Sequence, residues 1–167
     1  MKKIIIIMCL VPITTIGSGL NFLPFGAWFG QIYNSSEHNT IQRRGNIRSV
    51  HLKTADRPDD TEQLSAEICD DFGLQILTWR SHIRSLASAR TSHSDILQNL
   101  SKKYGKPEIY NKSAFWILKE IQIVVKIRGK NKIHQNQIRY FGPKYDACFK
   151  IFKKYKNNSE QPASTDG

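Results

Sequence analysis

Acidic side chains are scarce in the second half of this chain. Residues 101–156 hold only three, Glu108, Glu120 and Asp146, against fifteen Lys and Arg. Residues 37–100, by contrast, carry nine acidic and eight basic residues, so the overall net charge of +11 arises from the C-terminal half. A positive field confined to one half favours an anionic partner: a cell-envelope polymer, an acidic protein or nucleic acid.

Cysteine is also sparse, with Cys9, Cys69 and Cys148 alone. That number excludes a disulfide-dense scaffold and any four-cysteine zinc site. The five histidines, His38, His51, His82, His93 and His134, are scattered, and none has metal-ligand spacing to a second donor. There is no G-x-S-x-G elbow, phosphate loop or dinucleotide fingerprint, which removes the commonest hydrolase, nucleotide and redox classes. Ser92-His93-Ser94-Asp95 gathers triad residue types. Neighbours at a helix start cannot converge on one substrate, and a capping role accounts for them. No catalytic residue, metal or cofactor is expected, and no internal repeat is visible.

Long apolar runs are lacking too. Residues 4–11, IIIIMCLV, form the longest, far short of the roughly 20 needed to span a bilayer. Behind Lys2-Lys3 and ahead of Gly17, Ser18 and Gly19, this run has the layout of a secretory signal with cleavage after Gly19. The expected location is therefore periplasmic or secreted. An uncleaved inner-membrane anchor is the alternative, although Pro12, Gly17, Gly19, Asn21 and Pro24 interrupt it. Residues 20–29 are again aromatic and apolar and offer a membrane contact. Export would remove Cys9 and leave Cys69 and Cys148, an even pair that reads as one disulfide.

The chain accordingly divides into a signal (1–19), an apolar arm and polar linker (20–58), one folded domain (59–156) and a polar tail (157–167). The domain starts with acidic caps at Asp59 and Asp60, and Leu64, Ile68, Cys69 and Phe72 make a helical stripe ending at Gly73. Residues 74–79, LQILTW, alternate as a short strand, with residues 80–90 as a hairpin partner. A second helix, capped at Ser92 or Ser94, presents Ile96, Leu97, Leu100 and Tyr104 and stops at Gly105. Residues 108–113 are a connector.

Residues 114–140 form the most regular segment. Ile121, Ile123, Val125 and Ile127 recur every second residue while Gln122, Lys126 and Arg128 take the other face, the period of a half-buried strand. With the strand before it and the one after it, a three-stranded meander results, its third strand a sheet edge. A last helix at 144–155 aligns Tyr145, Cys148, Phe149 and Phe152 on one face. The predicted fold is α+β: an antiparallel sheet of about four or five strands, including the meander, with three helices packed on one face. A Cys69–Cys148 bond would then tie the first helix to the last.

The outer face of the meander is the candidate binding surface: Lys126, Arg128, Lys130, Lys132, His134 and Arg139, with Tyr110 and Tyr140 near them in sequence. Basic residues among aromatics suit anionic ligands. The expected function is a non-enzymatic binding module. Two rival expectations are a small secreted nuclease or other hydrolase built on Glu120 and His134, and a membrane-anchored envelope component.

Overall fold

The computed structural model describes residues 23–32, 40–53, 57–130 and 132–151, with the side chains of Thr40, Ile41 and Lys130 outside the description. The signal at 1–19 and the tail at 157–167 lie outside the described residues.

Eight strands form one antiparallel sheet in the order β1-β2-β3-β4-β8-β7-β6-β5. They are β1 (Thr40–Arg44), β2 (Ile47–His51), β3 (Thr61–Cys69), β4 (Gly73–Ser81), β5 (Glu108–Tyr110), β6 (Ser113–Ile117), β7 (Gln122–Lys130) and β8 (Ile133–Phe141). Helix α1 (Leu86–Tyr104) joins β4 to β5, and residues 145–151 form a short second helix. The expectation of four or five strands with three helices is therefore overturned.

The first correction is β3. Leu64 and Ile68 are four apart, a spacing that a helix and a strand share, since four is an even step. Ala66 breaks the tie: Leu64, Ala66 and Ile68 are all buried at two-residue intervals, whereas Phe72 lies beyond the strand. The second is the segment read as a linker. Residues 40–51 close a hairpin over a two-residue loop, with Arg44 opposite Ile47 and Gly45 at φ 56° supplying the conformation such loops require. Val50 and Leu52 then join the core. The third is the connector at 108–113, where Asn111 and Lys112 both take positive φ in a tight turn between β5 and β6.

Helix α1 starts earlier than its serine-rich segment suggests. Ser85 is the N-cap and accepts from the Ser88 amide at 3.3 Å, so Ser92 and Ser94 lie within the helix. No return strand forms at residues 80–90; β4 pairs instead with β3 and β8. The meander strands stand where periodicity places them, but β8 lies between β4 and β7 rather than at an edge.

Register gives the sheet two distinct faces. On one, Val50, Ala66, Leu77, Tyr140, Ile123 and Trp116 align in a single cross-strand row. This apolar face is covered by α1 through Ile96, Leu97, Leu100 and Tyr104, and by Leu23, Ala27 and Phe29 of the N-terminal arm. Gly73 is required for that cover: at φ 64° it lets the arm pass so closely that a Cβ would run into the Gly30 carbonyl. Gly30 and Gln31 exchange backbone hydrogen bonds with Leu74 there, at 3.0 and 2.9 Å.

The Cys69–Cys148 disulfide is present, with Cα atoms 6.0 Å apart across a separation of 79 residues. Its setting differs from the expected helix pair. Cys69 ends β3, opposite Ile47, on the face away from α1. The bond thus fastens residues 145–151 to the sheet's outer face, where Tyr145 meets the Phe141 ring at 5.0 Å. Asn46 is buried beneath it and donates from Nδ2 to Cys69 Sγ at 3.2 Å.

Candidate anion-binding groove

The second sheet face is polar at its centre, with apolar side chains such as Val124 and Phe115 towards the β5 edge. Gln63, Arg80, Gln137, Lys126, Ser113 and Tyr110 form one cross-strand row from β3 to β5. The adjacent row runs Ser65, Thr78, Arg139, Val124, Phe115 and Glu108. With strands about 4.8 Å apart, six positions span roughly 24 Å. A groove of about 390 Å³ runs over this face, lined by Ser49, Gln63, Ser65, Glu67, Thr78, Arg80, Lys126, Arg128, Gln137 and Arg139 among others.

The groove continues in both directions. A cavity of about 440 Å³ shares Arg80 and Arg128 with it and runs on past Gly129, Ile133 and Gln135. Another of about 250 Å³ shares Gln42, Ser49 and Glu67 and ends against Arg44 and Phe149. The helix held by the disulfide therefore walls one end.

Four cations, Arg80, Lys126, Arg128 and Arg139, meet a single carboxylate, Glu67, in the central groove. Arg139 Nη2 reaches Glu67 Oε1 at 3.3 Å and lies 4.8 Å from the centre of the Phe141 ring. Arg80 donates from Nη1 to Gln63 Oε1 at 2.7 Å, while its buried Nε has no hydrogen-bond partner among the described residues. Arg80, Lys126 and Arg128 have no acidic partner there. Three other acids of the N-terminal half are engaged elsewhere: Asp70 with Arg43 and Arg48, Glu62 with His82, Asp60 with Arg84.

The crowding has an electrostatic consequence. Burial lowers the Lys126 pKa below its ordinary value, and the nearby Arg128 and Arg139 lower it further. Arg80 is shifted down by burial and by the same two guanidiniums. Arg80 and Lys126 are thus held where burial and neighbouring charge disfavour the cation, a cost that an arriving anion would relieve.

No family model, curated protein or solved structure matches this chain.

Among the residues that sequence patterning nominates, the structure gathers Lys126, Arg128 and Arg139 in the groove. Lys130 ends β7 with its side chain outside the described residues, and Lys132 is exposed in the turn between β7 and β8. His134 stands on the opposite face: it pairs with Gly129, and its Nδ1 is buried with no hydrogen-bond partner among the described residues. Tyr140 is likewise a core residue, its phenol pKa pushed up by burial and by Tyr104. Glu120 lies in the turn before β7, and His134 opposes the far end of that strand, roughly 20 Å away at strand rise, so the two do not converge.

Patterning missed Arg80, Gln63, Ser65, Glu67, Thr78 and Ser49. A signal existed for Thr78 and Arg80, which continue the alternation of Leu77 and Trp79. For Gln63, Ser65 and Glu67 the helical reading of their segment concealed it.

Proposed function

We propose that this protein is an exported binding module whose grooved sheet face captures an anionic partner. The observation that carries the reading is the convergence of Arg80, Lys126, Arg128 and Arg139 on one groove, with Glu67 as the only carboxylate among the described residues that line it. Side chains from β3, β4, β7 and β8 supply it, so the site rests on a rigid scaffold rather than on loops. The Cys69–Cys148 disulfide points to an oxidising compartment. Among the described residues no helix is long and apolar enough to cross a membrane. The disulfide together with the signal-like residues 1–19 supports a periplasmic or secreted location.

The test is capture by an immobilised polyanion over a series of salt concentrations. Wild type should bind at low ionic strength, and an Arg80→Gln, Lys126→Gln, Arg128→Gln triple variant with an unchanged melting temperature should pass through unretained. Equal retention of the two proteins would refute the assignment to this groove.

A further inference from the structure

The groove carries more than charge. Between its cations stand neutral hydrogen-bonding side chains, Ser49, Ser65, Thr78 and Gln137, contributed by β2, β3, β4 and β8. None makes a side-chain hydrogen bond to another described residue, so their hydroxyls and amide remain unspent on the groove face. Thr78 and Gln137 are largely enclosed, with 6% and 3% of their surface exposed, and their polar atoms remain accessible from the groove.

Aromatic side chains stand at the margins of this face, Phe149 at one end of the track and Phe115 and Tyr110 towards β5, rather than among the cations. No aromatic side chain lines the central groove. Phe141, on the same sheet face, has Arg139 over its ring and Tyr145 against it, so it cannot accept a stacked base. Single-strand binding depends on such stacking, with cations alone supplying weak, salt-sensitive attachment. Unspent hydroxyls and amides next to guanidiniums instead match a ligand rich in hydroxyl groups that bears acidic substituents at intervals. Arginine reads a carboxylate or sulfate bidentately, while serine, threonine and glutamine exchange hydrogen bonds with neutral hydroxyls.

We infer that the anionic ligand of this groove is a linear acidic glycan, a sugar chain carrying carboxylate or sulfate groups, lying along the track from Phe149 to Ile133. This rests on the anion-binding reading above and specifies its ligand class. The length of the track fits a chain better than a single sugar, because the three connected cavities share lining residues end to end.

The test compares a sulfated or carboxylated oligosaccharide of defined length with an oligothymidylate of equal net charge, at the same ionic strength. The full mature protein should bind the oligosaccharide at least about tenfold more tightly. A Ser65→Ala, Thr78→Val variant, checked for an unchanged melting temperature, should lose about fivefold or more of oligosaccharide affinity and retain its oligothymidylate affinity. Equal or tighter binding of the oligothymidylate, or a variant that binds both probes like wild type, would overturn the glycan inference while leaving an anion-binding groove in place. Binding of neither probe would overturn both.

Discussion

Arg80 of β4 and Lys126 of β7 are registered to the same residue, Gln137 of β8, which lies between them. The two cations are 46 positions apart in sequence yet two strand spacings apart in space, roughly 10 Å. Burial lowers the pKa of both, and the flanking Arg128 and Arg139 lower it further, so positive charge at these two positions is disfavoured in the absence of an anion.

That cost predicts a separation of stability from binding. Lys126→Met should leave the denaturant midpoint unchanged or slightly higher, since a disfavoured charge is removed. The same variant should weaken polyanion capture and reduce the slope of log affinity against log salt by about one. Chemical denaturation together with a salt titration of affinity checks both halves.

The disulfide closes a long loop and should contribute accordingly. Replacing Cys69 and Cys148 together by alanine is expected to cost about 4 kcal/mol in urea unfolding. Because the bond also holds residues 145–151 to the outer face, limited proteolysis should cut near Phe149 sooner in the variant than in wild type.

Burial sets two apolar residues apart. Leu77 is 0% exposed at the centre of the core row, and Leu77→Ala should cost about 3 kcal/mol through lost contacts and a residual cavity. Ile117 is 69% exposed on the other face, and Ile117→Ser should stay within about 0.5 kcal/mol. Urea midpoints of the two variants give the comparison.

His93 predicts acid sensitivity. Burial lowers its pKa, opposed by a hydrogen-bonding contact of 3.1 Å between Nδ1 and Asn136 Oδ1. The unfolded chain takes up this proton near the ordinary value of about 6.5, whereas the folded protein does so only at lower pH. Within that window the unfolded state binds more protons, so stability falls as pH drops through it and is complete above it. Melting temperatures measured between about pH 7.5 and about pH 5 should decline more steeply in wild type than in His93→Gln.

Local chemistry alone determined several things about this protein. The alternation from Ile121 to Arg128, broken only at Val124, left one reading for β7, because only a strand puts four branched apolar residues on one side and Lys126 and Arg128 on the other. Gly105 after Lys102 and Lys103 marked the end of α1. Two cysteines in a chain with a signal-like start indicated the bond that forms.

Tertiary structure decided the rest. Leu64 and Ile68 satisfy helix and strand periods equally, and β3 is a strand because β2 and β4 offer its backbone partners on both sides. Residues 40–51 hold too few apolar side chains to build a core alone and become β1 and β2 by joining an edge already present. The groove could not be read along the chain at all. Its cations come from β4, β7 and β8 and its neutral hydrogen-bonding groups mainly from β2, β3, β4 and β8, and cross-strand register, a long-range property, is what brings them onto one face.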